Sequence, residues 1–218
     1  MAAWYDVQAN PERMTTVGNA ALVSPGAAEV EGGAELALGR TVTLTTPLRV
    51  KLGLYPNLQI HFSSEGFLVR PDLQRLAGVG AGLKVALLAD PDGFGPYLAG
   101  RLDAWSPFPA PADDVARMQA ELVASHRWGN LGLAASAGGD FAAGGASGPM
   151  AGVAMSLHDI GSMTLLAEGR YRSGLGYGGV GAAWTLGPLS TLDFGAGVRT
   201  DGSFVARAGF TRAFALDP

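Results

Sequence analysis

Charged side chains in this chain sit at alternate positions inside otherwise apolar stretches, and that spacing limits the chemistry open to them. In SMTLLAEGRYRSG, Ser162 to Gly174, the even positions include Glu168, Arg170 and Arg172, while Met163, Leu165, Ala167, Gly169 and Tyr171 take the odd ones. A carboxylate and guanidiniums on one face can pair with each other or with a neighbouring segment, and can attract or repel a dissolved ion. The arrangement recurs. Glu29, Glu31 and Glu35 are expected to face Arg49 and Lys51 on the following segment, with Arg207 flanking them from the far end of the chain. Lys84, Arg101, Asp103, Arg127, Asp193 and Arg199 hold the polar parity elsewhere, as do Glu65 and Glu121. Two readings fit these residues. They line a passage and contribute to selectivity or gating, or their pairs only fill an interior.

Metal and cofactor chemistry is not expected. The chain has no cysteine, and His61, His126 and His158 fall on different segments without ligand spacing. GYGGVG at 176–181 matches a dinucleotide fingerprint literally, but AAWTLGP follows it where a helix would have to start. DPDG at 90–93 resembles the opening of a calcium loop without the later ligands, and reads as a turn.

The elements that position these residues are strands. In TVTLTTPLRVKLGLYP, Val42, Leu44, Leu48, Val50, Leu52 and Leu54 share one face, against Thr43, Thr45, Arg49 and Lys51 on the other. NLQIHFSSEG, ARMQAELVASHRW and STLDFGAGVRT repeat this period of two, which is the alternation of a strand and not the 3.6-residue period of a helix. Helical periodicity is weak except near Pro111–Met118. Breakers divide the chain into about twelve strands, placed roughly at 27–38, 41–54, 57–69, 78–89, 96–106, 116–128, 130–140, 149–158, 162–173, 176–186, 190–200 and 203–215. Tight connectors (YPN, PDGFG, WGN, HDIG, LGP) alternate with longer ones (RPDLQRLAG, SPFPAPADDV, DFAAGGASGP). That is the pattern of an up-and-down antiparallel barrel with short turns at one rim and loops at the other.

Composition then separates a membrane barrel from a soluble one. The chain is 48% hydrophobic and 16% charged, with 33 glycines and a net charge of −4. No basic footprint for nucleic acid exists, and no apolar run is long enough for a spanning helix. About 9–11 tilted residues cross a bilayer as a strand, which most of these segments reach. The polar face is crowded with small residues, such as Gly78, Gly80, Gly82, Gly152, Ala154 and Ser156, where a solvated exterior would carry dense mixed charge. A confined lumen suits that face. The expectation is an all-β transmembrane barrel with its apolar face outward. The alternatives are a soluble barrel binding a hydrophobic ligand in an apolar cavity, and a structural barrel with an occluded lumen.

GVGAGLKVALL at 78–88, the strand of Glu168, LDFGAGV at 192–198 and the closing AGFTRAF at 208–214 resemble a known family. It is that of bacterial outer-membrane β-barrel transporters of the phenol-degradation meta-pathway type, and the likeness runs from about Thr15 to Phe214. The resemblance implies an outer-membrane location in a diderm bacterium and passage or binding of small, aromatic or hydrophobic solutes. It implies an interior Lys in the place of Lys84, and a terminal aromatic, Phe214, as the signal read by the barrel-assembly machinery. Arg212 departs from the aromatic or apolar residue usual two positions earlier, and the tail continues past Phe214. Some outer-membrane barrels are phospholipases with a lipid-facing Ser/His pair. Here His126 has outward parity but no outward Ser beside it, so no enzyme activity is expected.

Twelve strands would enclose a lumen wider than an eight-stranded barrel fills and narrower than an open porin. With acidic and basic side chains nearly balanced, a narrow passage without strong ion preference is expected. The barrel is assigned to 27–218. Residues 1–26, with Trp4, Tyr5 and the PER at 11–13, form either a periplasmic lead-in or a plug entering from the short-turn side. MAAWYDVQANPERM lacks the apolar core of an export signal, which is expected to lie outside this chain or to have been removed. Tyr55, Trp128, Trp184 and Phe214 fall where an interfacial aromatic girdle would stand. The expected partners are outer-membrane lipid and a small-molecule solute, with the protein monomeric.

Overall fold

The computed structural model describes residues 20–71, 73–76, 78–89, 96–106, 116–143 and 147–216. Among these residues every regular element is a strand: β1 (Ala27–Leu38), β2 (Val42–Thr45), β3 (Leu48–Tyr55), β4 (Leu58–Ser64), β5 (Phe67–Arg70), β6 (Leu73–Leu76), β7 (Val79–Leu88) and β8 (Tyr97–Ser106). They continue as β9 (Arg117–Trp128), β10 (Leu131–Ala142), β11 (Gly148–Ile160), β12 (Met163–Arg172), β13 (Leu175–Gly187), β14 (Ser190–Arg199) and β15 (Phe204–Ala215). Each pairs antiparallel with its neighbours. β15 returns to β1, from Ala27 opposite Ala215 to Leu38 opposite Phe204. The result is a closed twelve-strand barrel, in which β2 with β3, β4 with β5, and β6 with β7 each make one interrupted strand. The β1–β15 pairing closes the wall, where an open edge of unpaired backbone groups would cost several kcal/mol each in hydrocarbon; among the described residues β6, toward the rim, is paired with β5 alone.

The interruptions have local causes. Pro47 has no N–H to give to a ladder, and β2 and β3 part at Thr46–Pro47. Gly66 takes a positive φ of 69° between β4 and β5. One expected connector proves to contain a strand. RPDLQRLAG includes β6, where Arg70 lies opposite Leu73 and Phe67 opposite Leu76. Its charged and polar residues concealed the alternation. The expected turn at 91–95 and most of the weakly helical stretch near Pro111–Met118 lie outside the described residues, while Arg117 and Met118 begin β9. Short turns gather at the rim of Ala27 and Ala215. At the other rim the contrast is incomplete, since β12 and β13 are joined there by only Ser173 and Gly174.

The apolar face points outward. Val153, Val180, Leu122 and Phe194 are 63%, 65%, 54% and 53% exposed, whereas Lys51, Glu29, Lys84 and Asp193 are buried within the barrel. This overturns the soluble alternative, which required an apolar cavity and an ionic exterior. Exposed aromatics mark both ends of the outer band. Tyr55, Trp128, Trp184 and Phe214 stand toward the short-turn rim; Phe67, Phe141, Tyr171 and Phe204 stand toward the other. Amphipathic rings favour the two edges of a bilayer over its centre.

Before β1 the chain turns into the lumen. Gly26, at φ 71°, makes the corner, and Ala27 N donates to Ser24 O at 3.0 Å. Ala20 N then donates to Ser125 Oγ at 3.3 Å and Val23 N to Gln59 Oε1 at 2.9 Å, while Lys84 Nζ donates to Ala21 O at 2.6 Å. Ala20 packs on the inward-facing Ala99 and Val123, with Leu22 and Tyr97 beside them. Gly53 permits this approach, because a Cβ there would overlap the carbonyls of Val23 and Ser24. Of the segment assigned to 1–26, only residues 20–26 are among those described; Trp4, Tyr5 and the PER lie outside them.

Candidate functional site

The ionic side chains lie along the inner wall, many of them reaching across an intervening strand. Lys51 on β3 sits between two carboxylates of β1: it contacts Glu29, directly opposite, and meets Glu31 Oε1 at 2.8 Å. Arg49 is opposite Glu31 in register. All three members of the Lys51 cluster are fully buried. Desolvating three charges is costly, so the cluster is tolerable only while both signs are present. Glu35 departs from the expected pairing. Its neighbour on the second strand is Thr45, and the cationic part of that strand begins beyond the Pro47 break. Glu35 instead accepts from Arg199 Nη2 at 2.9 Å, across β15.

On the adjoining strand His61 of β4, opposite Lys51 in register, contacts Asp103 of β8 over Gly82 of β7, which stands opposite both His61 and Asp103. A Cβ at Gly82 would strike the imidazole Nε2 and the Asp103 carboxylate, so glycine is what lets the pair form. Arg101 Nε also reaches Asp103 Oδ2, at 2.5 Å, and Arg101 stands opposite Glu121. Arg170 comes within 3.9 Å of Glu121, past Gly152 on β11 and Gly138 on β10. Arg172 Nε donates to Asp140 Oδ2 at 2.9 Å.

Arg207 faces Glu35 in register but extends the other way, over Gly195 and the glycines of β13, to Glu168 Oε1 at 3.1 Å. Its guanidinium lies 5.0 Å from the centroid of the Tyr177 ring and donates to the Tyr177 hydroxyl. Asp193 is buried on β14, opposite Gly209. Arg127 sits at the short-turn rim, with Nη2 2.6 Å from Asp159. Glu65 is exposed, between β4 and β5 rather than on either. Phe214 is exposed on β15, with Arg212 5.7 Å from its ring centroid.

Asp140, Tyr177 and His61 belong to this wall and were not among the sequence candidates. Asp140 closes the strand expected at 130–140 and opens the connector DFAAGGASGP, and its even parity with Ser136 and Gly138 was the signal that it faces inward. Tyr177 shares parity with Gly179 and Gly181, and that glycine run was the signal that a large side chain could lie flat there.

A hollow of about 730 Å³ opens at the rim opposite Ala27 and Ala215, lined in part by Glu35, Arg40, Thr43, Thr45, Arg199 and Asp201. Hydrogen bonds from the Ser203 hydroxyl and backbone N–H hold the Asp201 carboxyl below its usual range. On the outer face an apolar hollow of about 610 Å³ lies among Ala124, His126, Leu133, Val153, Met155 and Ala167. His126 meets Trp128 edge-on at 4.1 Å and has Leu133, not a serine, opposite it. His158 faces inward, 2.8 Å from Ser156 Oγ. Among the described residues no group of three His, Cys, Asp or Glu is disposed to hold a metal ion.

An apolar outer band, aromatic edges and an ionic interior on a closed antiparallel sheet define the architecture of outer-membrane β-barrels. No protein-family model and no curated protein sequence matches the chain. Solved structures do. The KdgM porin in complex with disordered oligogalacturonate aligns with a TM-score of 0.68 at 10% identity, over 85% of this chain and 99% of that one. An outer-membrane channel from Pseudomonas putida F1 gives 0.65 at 10%, over 94% and 99%. The Ralstonia pickettii toluene transporter TbuX gives 0.53 at 11%, over 88% and 90%. At these identities the likeness is one of fold.

Proposed function

We propose that this chain is a monomeric outer-membrane barrel of a diderm bacterium that passes or binds small solutes, aromatic or otherwise hydrophobic ones among them, through a narrow lumen lined by ionic side chains. The reading rests on the polarity of the barrel: hydrocarbon-compatible side chains cover the outside while Lys51, Lys84, Glu168 and Arg207 are enclosed. Such a band would be untenable in water. Membership of the phenol-degradation meta-pathway transporter type agrees with the motifs quoted above, and the fold shared with a toluene transporter supports aromatic solutes. Residues 27–218 act as the barrel and the inward-turned segment before them as a plug. Phe214 serves as the terminal signal for the assembly machinery. No catalytic role is assigned, since no outward serine accompanies His126.

The test is conductance of the purified protein in planar bilayers. Steady current above background supports passage. A second reading, a structural barrel with an occluded lumen, is favoured by the burial of Ala20 and Val23 inside the barrel. Silent wild type together with a conducting variant lacking residues 1–24 would favour a plugged channel. Silence of both would leave the structural barrel standing.

A further inference from the structure

Counting the lumen's charges gives near balance, but the charges are not equally accessible. In Arg170–Glu121 the two side chains are 18% and 5% exposed. In Arg172–Asp140 they are 37% and 4%, and in Arg101–Asp103 they are 13% and 3%. The cation is the more open member each time. Lys51, Lys84 and Arg207 are buried, but Arg49 is half-buried and Arg117 is exposed, both on inward-facing parity, whereas Glu29, Glu31, Glu168 and Asp193 are all buried. Glu35, equal in exposure to its partner Arg199, is the exception among the described strand-borne acids of the wall. At the short-turn rim the order reverses, with Asp159 more exposed than Arg127.

The asymmetry follows from side-chain shape. A carboxylate on a short stem stays against the sheet, while a guanidinium on a longer one crosses neighbouring strands and stays partly exposed even where it is paired, as Arg170 and Arg172 do. A solute therefore meets N–H donors and positive charge, with the compensating carboxylates behind them.

We propose that the lumen is a binding and selectivity site for small organic carboxylates, with Arg170 and Arg172 as its principal donors and Arg101 and Arg117 beside them. This rests on the reading of the chain as a solute-passing barrel and names its substrate class. A carboxylate can take two parallel N–H···O bonds from one guanidinium, and a confined lumen with one accessible sign of charge concentrates the opposite ion. The site discriminates by the anionic group and tolerates variation in the remainder of the solute.

Two measurements separate this inference from the channel reading. Reversal potentials in a KCl gradient are expected to show chloride more permeant than potassium, with the ratio falling in Arg170→Gln/Arg172→Gln. Current with potassium preferred in the wild type would overturn the carboxylate site while leaving a channel. Absence of current in both the wild type and the variant lacking residues 1–24 would remove the channel reading, so equilibrium binding is measured as well. Calorimetry on detergent-solubilised wild type is expected to detect benzoate and to find benzyl alcohol at least about tenfold weaker, the order of one lost charge-assisted hydrogen bond. That comparison stands even if the double variant does not fold. Where it does fold, judged by heat-modifiable migration, benzoate binding should drop by a similar factor. Equal affinity for benzoate and benzyl alcohol, or no benzoate binding, would overturn the proposal.

Discussion

Single side chains here are stable only in combination. Lys51 is held between Glu29 and Glu31 with no access to water. Lys51→Met should leave like charges facing each other and destabilise the barrel by about 3–5 kcal/mol, the cost of breaking a buried pair. Urea unfolding in lipid vesicles measures this. Adding Glu29→Gln and Glu31→Gln to Lys51→Met should recover much of the loss, because neutral side chains of similar size then fill the space. At Gly82 the constraint is steric: Gly82→Leu is expected to separate His61 from Asp103. The NMR chemical shifts of the His61 imidazole should then change as the contact with Asp103 is lost.

Strands and the segment before them add a second level. The outward positions of β14 tolerate only apolar side chains in a bilayer, so Phe194→Arg should cost about 2–4 kcal/mol if it lies near the bilayer midplane. Equilibrium folding into vesicles reports that value, and a neutral result would argue against a lipid-facing β14. The segment of Ala20 to Ser24 is held by three side chains, Ser125, Gln59 and Lys84, and by its close approach to Gly53. Gly53→Val should displace it while leaving the barrel ladders intact. Bilayer current is then expected to rise toward that of the variant lacking residues 1–24. An unchanged current would mean that the segment does not limit passage.

At the scale of the whole molecule, closure makes the strands interdependent. β1 and β15 are paired along twelve residue positions, so the ends of the chain complete the wall. Removing β15 should abolish heat-modifiable migration altogether, whereas Phe214→Ala should reduce the assembled fraction in cells and leave the assembled barrel's stability little changed. Refolding the purified variant into vesicles separates the two effects: normal refolding with poor assembly in cells assigns Phe214 to recognition.

The amino-acid order by itself determined the strand class, the number of strands and the face on which each side chain lies, because a period of two is a local property of extended backbone. It was legible at Leu165 against Arg170 without any tertiary information. It also made Glu29, Glu31, Arg49 and Lys51 opposing neighbours, since consecutive antiparallel strands fix that register locally. Only the tertiary structure decided the longer contacts. Glu35 with Arg199 and His61 with Asp103 each pass over one intervening strand and Arg207 with Glu168 over two, and which strands are near depends on closure and on glycines that leave the wall flat. The entry of Ala20–Ser24 into the lumen was likewise beyond local reading, because its partners lie on β4, β7 and β9. Alternation is written into each strand, but which charges become neighbours is fixed only when the sheet closes.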